Sequence, residues 1–171
     1  MKWYYILLLL FKMVNSKNIT NFELSKYMGT WYQIYTNEFV ESSILRYGKC
    51  ITANYTIKTN NSFNIYSEMI LDNRIISITG IGIITNRIEP NKIDIIWDYG
   101  ADGENWIYDI GPEYNNLYDY AIISDSNKIS LFIIIRNVER YFNLYNNTVF
   151  EYLNNNNFLK PILIDQNNCK E

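Results

Sequence analysis

Alternation of apolar and polar positions dominates the chain from Gly29 to Arg136. Runs rich in β-branched and aromatic residues recur there, each ended by Asn, Asp, Gly or Pro, and this punctuation predicts eight strands. The first opens at Gly29-Thr30-Trp31 and runs through Tyr35. The others cover Cys50 to Thr59, Phe63 to Ile70, Arg74 to Thr85, Lys92 to Tyr99, Asn105 to Ile110, Tyr118 to Asp125 and Lys128 to Arg136. Short turns join most of them, with a longer connection from Phe39 to Gly48. No βαβ period and no internal repeat interrupts the series, so sequential hairpins predict an all-β, up-and-down antiparallel barrel.

The period changes outside this region. Phe22 to Lys26 reads as one helical turn with Asn21 as its cap. Val138, Tyr141, Tyr145, Val149 and Tyr152 or Leu153 recur at helical spacing, with Asn137 as a candidate cap, and predict one helix packed outside the barrel. Asn154 to Asn157 ends it, and Phe158 to Ile164 reads as a short last strand. Gly80 and Gly82 sit two apart within a strand, the spacing of a bend that lets a sheet curl and close. Facing inward, they would leave room in the barrel.

Strand parity proposes an interior. The inward set is Tyr55, Ile57, Phe63, Ile65, Ile78, Ile93, Ile95, Trp97, Tyr108, Tyr120, Ile122 and Phe132. It is apolar and aromatic with a few hydroxyls, as small-molecule sites are. On the second strand the opposite face, Cys50, Thr52, Asn54 and Thr56, is polar and expected in solvent.

The 171 residues suit one domain with a real core. Residues 1–16 read as a signal peptide: Lys2, then an apolar run from Trp3 to Phe11 too short to span a bilayer, then small residues Val14 and Ser16. Residues 17–171 form the single mature domain. Without Lys2 and Lys12 the formal charge moves from −3 to −5, and an acidic chain with no basic stripe is a poor nucleic-acid binder. The reading is therefore of a secreted, extracellular protein with no membrane span.

Secretion makes a Cys50–Cys169 disulfide the default, against free thiols or a thiolate nucleophile. It would close a loop of about 120 residues and stabilise by at most about 4–5 kcal/mol in the chain-entropy picture. Four glycosylation sequons start at Asn18, Asn54, Asn60 and Asn146. Asn54 faces solvent by parity, and Asn60 lies at a hairpin tip.

Catalysis finds little support. There is no histidine, the commonest general base and metal ligand. Asp94 and Asp98 share a face, but it is the wetted one. Asp102-Gly103-Glu104 is too sparse for a calcium loop, and no helix follows Gly80-Ile81-Gly82 to make it a phosphate fingerprint. No cofactor and no metal site is expected.

These residues carry a family resemblance. Gly29-Thr30-Trp31-Tyr32-Gln33-Ile34 resembles the first motif of the lipocalins, and Phe132-Ile133-Ile134-Ile135-Arg136-Asn137 resembles their third. Within the family the chain is similar to the apolipoprotein D-like branch, whose disulfide segments resemble Lys49 to Thr56 and Asp165 to Cys169. The resemblance implies an eight-stranded barrel with Arg136 lying across Trp31 at the closed end, a cation–π contact of about 0.5–2 kcal/mol. The second motif departs from pattern: Ile110-Gly111-Pro112-Glu113-Tyr114 and Tyr118-Asp119-Tyr120 replace the usual Thr-Asp followed by Tyr. The helix also lacks its usual preceding prolines.

Three functions follow from this reading. One is a carrier of a small hydrophobic molecule such as a fatty acid, sterol, retinoid or pigment. Another is an interaction protein with a filled barrel, meeting a cell-surface receptor or secreted protein through Phe39 to Gly48, Asp72-Asn73 and Gly100 to Gly103. The third is an enzyme on the same barrel, which needs a reactive group inside it.

Overall fold

Alternating β-branched residues leave each long strand with one apolar face, and closing the sheet on itself buries that face. The computed structural model describes residues 19, 21–100 and 102–169, so the signal-peptide reading and the Asn18 sequon fall outside it. A short helix α1 (Leu24–Tyr27) leads into β1 (Gly29–Thr36), then α2 (Glu38–Val40), which continues as a π-turn over Glu41–Leu45. Five strands follow: β2 (Lys49–Thr59), β3 (Ser62–Leu71), β4 (Arg74–Ile84), β5 (Lys92–Trp97) and β6 (Gly103–Ile110). A small ribbon, β7 (Glu113–Tyr114) and β8 (Leu117–Tyr118), precedes β9 (Tyr120–Ser124) and β10 (Phe132–Ile135). The chain ends in α3 (Val138–Leu144), α4 (Asn146–Asn155) and β11 (Ile162–Leu163).

The sheet order is β10-β9-β6-β5-β4-β3-β2-β1, and β1 pairs again with β10. That pairing closes an antiparallel eight-stranded barrel. β11 lies outside it, hydrogen-bonded to the end of β1 through Tyr35–Leu163 and Thr36–Ile162.

Two layers of core follow from closure. Inside, Trp31, Phe63, Ile65, Ile93, Ile95, Ile107, Ala121, Ile123 and Ile134 pack together. Outside, Val149, Leu153 and Tyr141 of the helices cover Ile34, Tyr35, Tyr120, Ile122, Ile133 and Ile135. A register shift in β1 between Gln33 and Tyr35 turns Ile34 and Tyr35 to this outer layer together. Asn137 caps α3 by accepting from the Arg140 amide at 2.8 Å.

Several boundaries differ from the sequence reading. The expected single helix is two, divided at Tyr145. Glu23, not Asn21, precedes α1, and the Asn21 carbonyl instead accepts from the Tyr118 hydroxyl at 3.3 Å. The final strand shrinks to two residues, and the β7–β8 ribbon occupies what reads as loop.

Candidate functional site: the barrel interior

The closed end is built around Trp31, which is fully buried and donates its indole N–H to the Tyr27 carbonyl at 2.8 Å. Tyr27 touches Trp31, Tyr55 and Phe63, so four aromatic rings fill this end. Arg136 lies over Trp31, its guanidinium carbon 3.5 Å from the ring centroid. It also donates to the carbonyls of Thr30 at 2.6 Å, Met28 at 2.7 Å and Tyr118 at 3.2 Å. Burial lowers the Arg136 pKa to about 10, opposed by Tyr27, Tyr55 and Asp119. Burial raises Tyr55 to about 12. Gly29 has φ +93°, a backbone conformation that favours glycine, and a Cβ there would meet Arg136 Nη1 at 3.4 Å.

The inward glycines do not leave empty space. A Cβ on Gly82 would lie 2.2 Å from Phe63, and one on Gly80 would lie 2.8 Å from the Trp97 ring. Each glycine admits an aromatic ring from a neighbouring strand. The lower barrel is therefore solid.

The upper half is different. The registers Ala53↔Ser67↔Ile78 put these three on the inward face, with Met69 two residues beyond Ser67. Together with Trp97 and Phe132 they are only half-buried. The connection from α2 through the π-turn folds over this mouth: Val40 and Leu45 are buried against Ile51, Met69 and Phe132. Gln33 faces inward at register with Ile134. Gln33 Nε2 and Glu41 Oε2 are buried without a hydrogen-bond partner.

The proposed lining residues divide by place. Trp97, Ile78 and Phe132 surround the upper half. Tyr55, Phe63, Ile65, Ile93 and Ile95 pack into the aromatic floor beneath. Ile57 is 53% exposed, because β1–β2 pairing ends at Gly29–Tyr55 and leaves it no neighbour on that side. Tyr108, Tyr120 and Ile122 are corrected to the outer face. A bulge between Ile107 and Asp109 turns Tyr108 toward Phe158, 5.4 Å between ring centroids. Tyr120 and Ile122 join the helix-facing layer, and Ala121 and Ile123 take the inward places. All of β9 is buried, so alternation carries no sign there.

Gln33, Glu41, Met69, Ala53 and Ser67 are absent from the sequence-based set. Parity from Trp31 points to Gln33, and parity from Ile65 points to Ser67 and Met69. Nothing in the sequence places Glu41, which sits in an irregular connection. A separate groove of about 380 Å³ runs over the outer face of β2–β4, lined by Asn54, Thr56, Asn64, Tyr66, Thr79 and Asp98 among others. Its lining is more polar than the barrel interior.

Cys50 and Cys169 form a disulfide across 119 positions of sequence. Cys50 is buried with φ 56°, not on the expected wetted face, because the β2–β3 register shifts between Lys49 and Thr52. The sequon asparagines differ. Asn60 is exposed on its turn, Asn54 is exposed and donates to Thr30 Oγ1 at 3.0 Å, and Asn146 Oδ1 accepts from the Tyr35 hydroxyl.

A closed eight-stranded barrel with helices packed outside and a Trp–Arg closed end defines a lipocalin. The chain belongs to that family, in its apolipoprotein D-like branch: the family model for the lipocalin-like domain matches residues 22–154. It is 31% identical to apolipoprotein D of Cavia porcellus over 161 residues, 88% of this chain and 80% of that one. The Macaca fascicularis apolipoprotein D is 30% identical over 167 residues with the same coverage. Among solved structures, lobster apocrustacyanin superposes with a TM-score of 0.59 at 19% identity, covering 83% of this chain and 78% of that one. Japanin from Rhipicephalus appendiculatus, bound to cholesterol, superposes with a TM-score of 0.55 at 12% identity, covering 84% and 95%.

Proposed function

We propose that the protein is a secreted carrier holding one small hydrophobic molecule in the upper half of the barrel. The observation that carries this reading is the contrast between the two halves. The floor is filled by Trp31, Tyr27, Tyr55 and Phe63, while Trp97, Ile78, Met69 and Phe132 of the upper half are only half-buried. Apolar surface inside a concave wall is where an apolar ligand gains most from leaving water. Membership of the lipocalin family supports small hydrophobic ligand binding, and the cholesterol in the similar Japanin structure makes a sterol one candidate.

Secretion rests on the leader of residues 1–16 and on the disulfide, which needs an oxidising compartment. No helix among the described residues is long and apolar enough to cross a membrane. Asn60 is the best placed glycan acceptor. The enzyme reading loses its thiol, since both cysteines are in the disulfide.

A second reading has its own observation. Phe39, Ile44, Tyr47, Ile75 and Tyr99 are 50–83% exposed around the open-end connections, a surface suited to a protein partner such as a receptor.

The test is native mass spectrometry on protein secreted from eukaryotic cells, followed by extraction of small molecules. A hydrophobic compound at about one per chain supports the carrier. A ligand-free mass, with no tryptophan quenching by fatty acids, sterols or retinoids, moves the function to the exposed connections.

A further inference from the structure

The helices cover only one side of the barrel. They lie against Ile34, Tyr35, Tyr120, Ile122, Ile133 and Ile135 of β1, β9 and β10. On the uncovered wall, cross-strand pairing builds two rows of outward side chains. Asn54 pairs with Tyr66 and Tyr66 with Thr79, whose hydroxyl donates to Asp98 Oδ2. One step along the strands, Thr56 pairs with Asn64, Asn64 with Ile81 and Ile81 with Ile96. All are exposed except Ile81, which is half-buried. The groove of about 380 Å³ lies over these rows.

The lining mixes two kinds of surface. Tyr66 is 46% exposed, and its hydroxyl donates to Glu68 Oε2 at 3.0 Å, which holds the ring on the outer face. Around it stand the amides of Asn54 and Asn64, the hydroxyls of Thr56 and Thr79, and the Asp98 carboxylate. A pyranose asks for that mixture. Its C–H face is apolar and packs on an aromatic ring, while its rim hydroxyls donate and accept hydrogen bonds.

The groove also carries its own sugar acceptor. Asn54 opens the sequon Asn54-Tyr55-Thr56. Alternation sets Asn54 and Thr56 outside, while Tyr55 packs inward on Tyr27 and Phe63. Side chains directly opposite across a strand pair lie about 5 Å apart, so the first sugar on Asn54 begins beside the Tyr66 ring. Asn54 Nδ2 donates to Thr30 Oγ1 at 3.0 Å, which anchors the amide. Glycosylation replaces one of its two hydrogens and leaves the other for Thr30. Asn60 differs, because it stands exposed on the β2–β3 turn and does not line the groove.

We propose that the groove over β2–β4 is the seat of the Asn54 glycan, whose first sugars pack on Tyr66 and Ile81 and hydrogen-bond to Asn64 and Asp98. The glycan then covers this wall as the helices cover the other, while a glycan on Asn60 extends into solvent. This rests on the secreted reading, since the sugar is added to chains entering the secretory route. It goes beyond that reading by giving one glycan a fixed place in the structure.

The experiment times glycan release by peptide N-glycosidase from protein secreted by eukaryotic cells, resolved by site through the mass change from asparagine to aspartate. Each folded-state rate is divided by the rate at the same site after denaturation. In wild type, folding is expected to slow release at Asn54 at least about fivefold, the factor one aromatic contact supplies. Release at Asn60 should change less than about twofold. Tyr66→Ser should bring the slowing at Asn54 below about twofold, and Tyr66→Phe should keep it. Tyr66 is exposed, so both variants leave the core intact. Slowing that Tyr66→Ser leaves unchanged, the result if strand geometry alone shields Asn54, overturns the proposal. So does unslowed release in wild type, or an Asn54 that carries no sugar in protein recovered from the medium. In these three cases the secreted reading stands. Failure of the chain to reach the medium overturns that reading and the proposal with it.

Discussion

The Arg136 guanidinium carbon lies 3.5 Å from the centroid of the Trp31 ring and closes the narrow end of the barrel. The contact has two components. The cation meets the ring face, and the fork of N–H groups donates to the carbonyls of Lys26, Met28, Thr30 and Tyr118.

Arg136→Ala is expected to lower stability by about 3 kcal/mol, since it strands several carbonyls and removes the stacked charge. Arg136→Lys should recover less than half of that, because an ammonium cannot span carbonyls set by a planar fork. Denaturant midpoints of the two variants, with unchanged slopes, check both.

Gly82 and Phe63 form the tightest fit in the floor. Gly82→Ala places a methyl where the Phe63 ring now lies, and overpacking of that kind costs about 1–3 kcal/mol. Phe63→Leu in the same chain should restore most of the loss. A double-mutant cycle reads the coupling, and additive losses would show that the ring does not occupy that space.

Alkaline pH should unfold the protein through its tyrosines. Burial raises Tyr55 to about 12, carries Tyr120, Tyr141 and Tyr152 further up, and raises Tyr27 well above the ordinary phenol value. A raised folded pKa contributes stability that is whole below the unfolded value near 10 and is lost as pH climbs through the folded value. Arg136, lowered to about 10, and Lys128, also lowered by burial, act with the opposite sign, but the raised tyrosines outnumber them. The denaturation midpoint should hold to about pH 9 and fall above about pH 10. Tyrosinate absorbance should rise in two phases, the second coincident with unfolding.

Glu41 supplies an acid-side test. Its carboxyl is raised by burial, so its share of stability is present at acid pH and lost as pH rises through the folded value. Glu41→Gln removes that loss. The variant should be more stable than wild type at neutral pH, with the gap closing as pH falls.

The disulfide ties the last residues to the start of β2. Replacing Cys50 and Cys169 with alanine should cost about 2–4 kcal/mol, because it releases a loop spanning 119 positions in the unfolded chain. Thermal melts of the two forms measure it.

Much of this architecture is legible in the sequence, and what is not has a common cause. β2 to β5 each have one wetted face, so alternation assigned Ile65, Ile93 and Trp97 to the inside without ambiguity. β9 is buried between barrel interior and helix, so Tyr120, Ala121, Ile122 and Ile123 are all apolar and parity has no anchor. The irregularity between Ile107 and Asp109 puts both Ile107 and Ile110 on the inner side, so strict alternation cannot place Tyr108. Gly82 was legible as a place where the sheet bends, but not as the seat of Phe63, since that depends on the β3–β4 register. Glu41 needed the path of the Phe39 to Gly48 connection, and irregular backbone has no period to read.

The central claim is that the upper half of the barrel holds the ligand, and plugging it tests this most directly. Ile78→Trp fills the inward wall beside Ser67, while Ile96→Trp places the same indole on the outer face, where Ile96 is 46% exposed. Both are titrated with dodecanol and with cholesterol, and near-unchanged circular dichroism establishes the fold. The account predicts that Ile78→Trp loses binding by at least about tenfold while Ile96→Trp binds as wild type does. Undiminished one-to-one binding by the Ile78→Trp variant would contradict it.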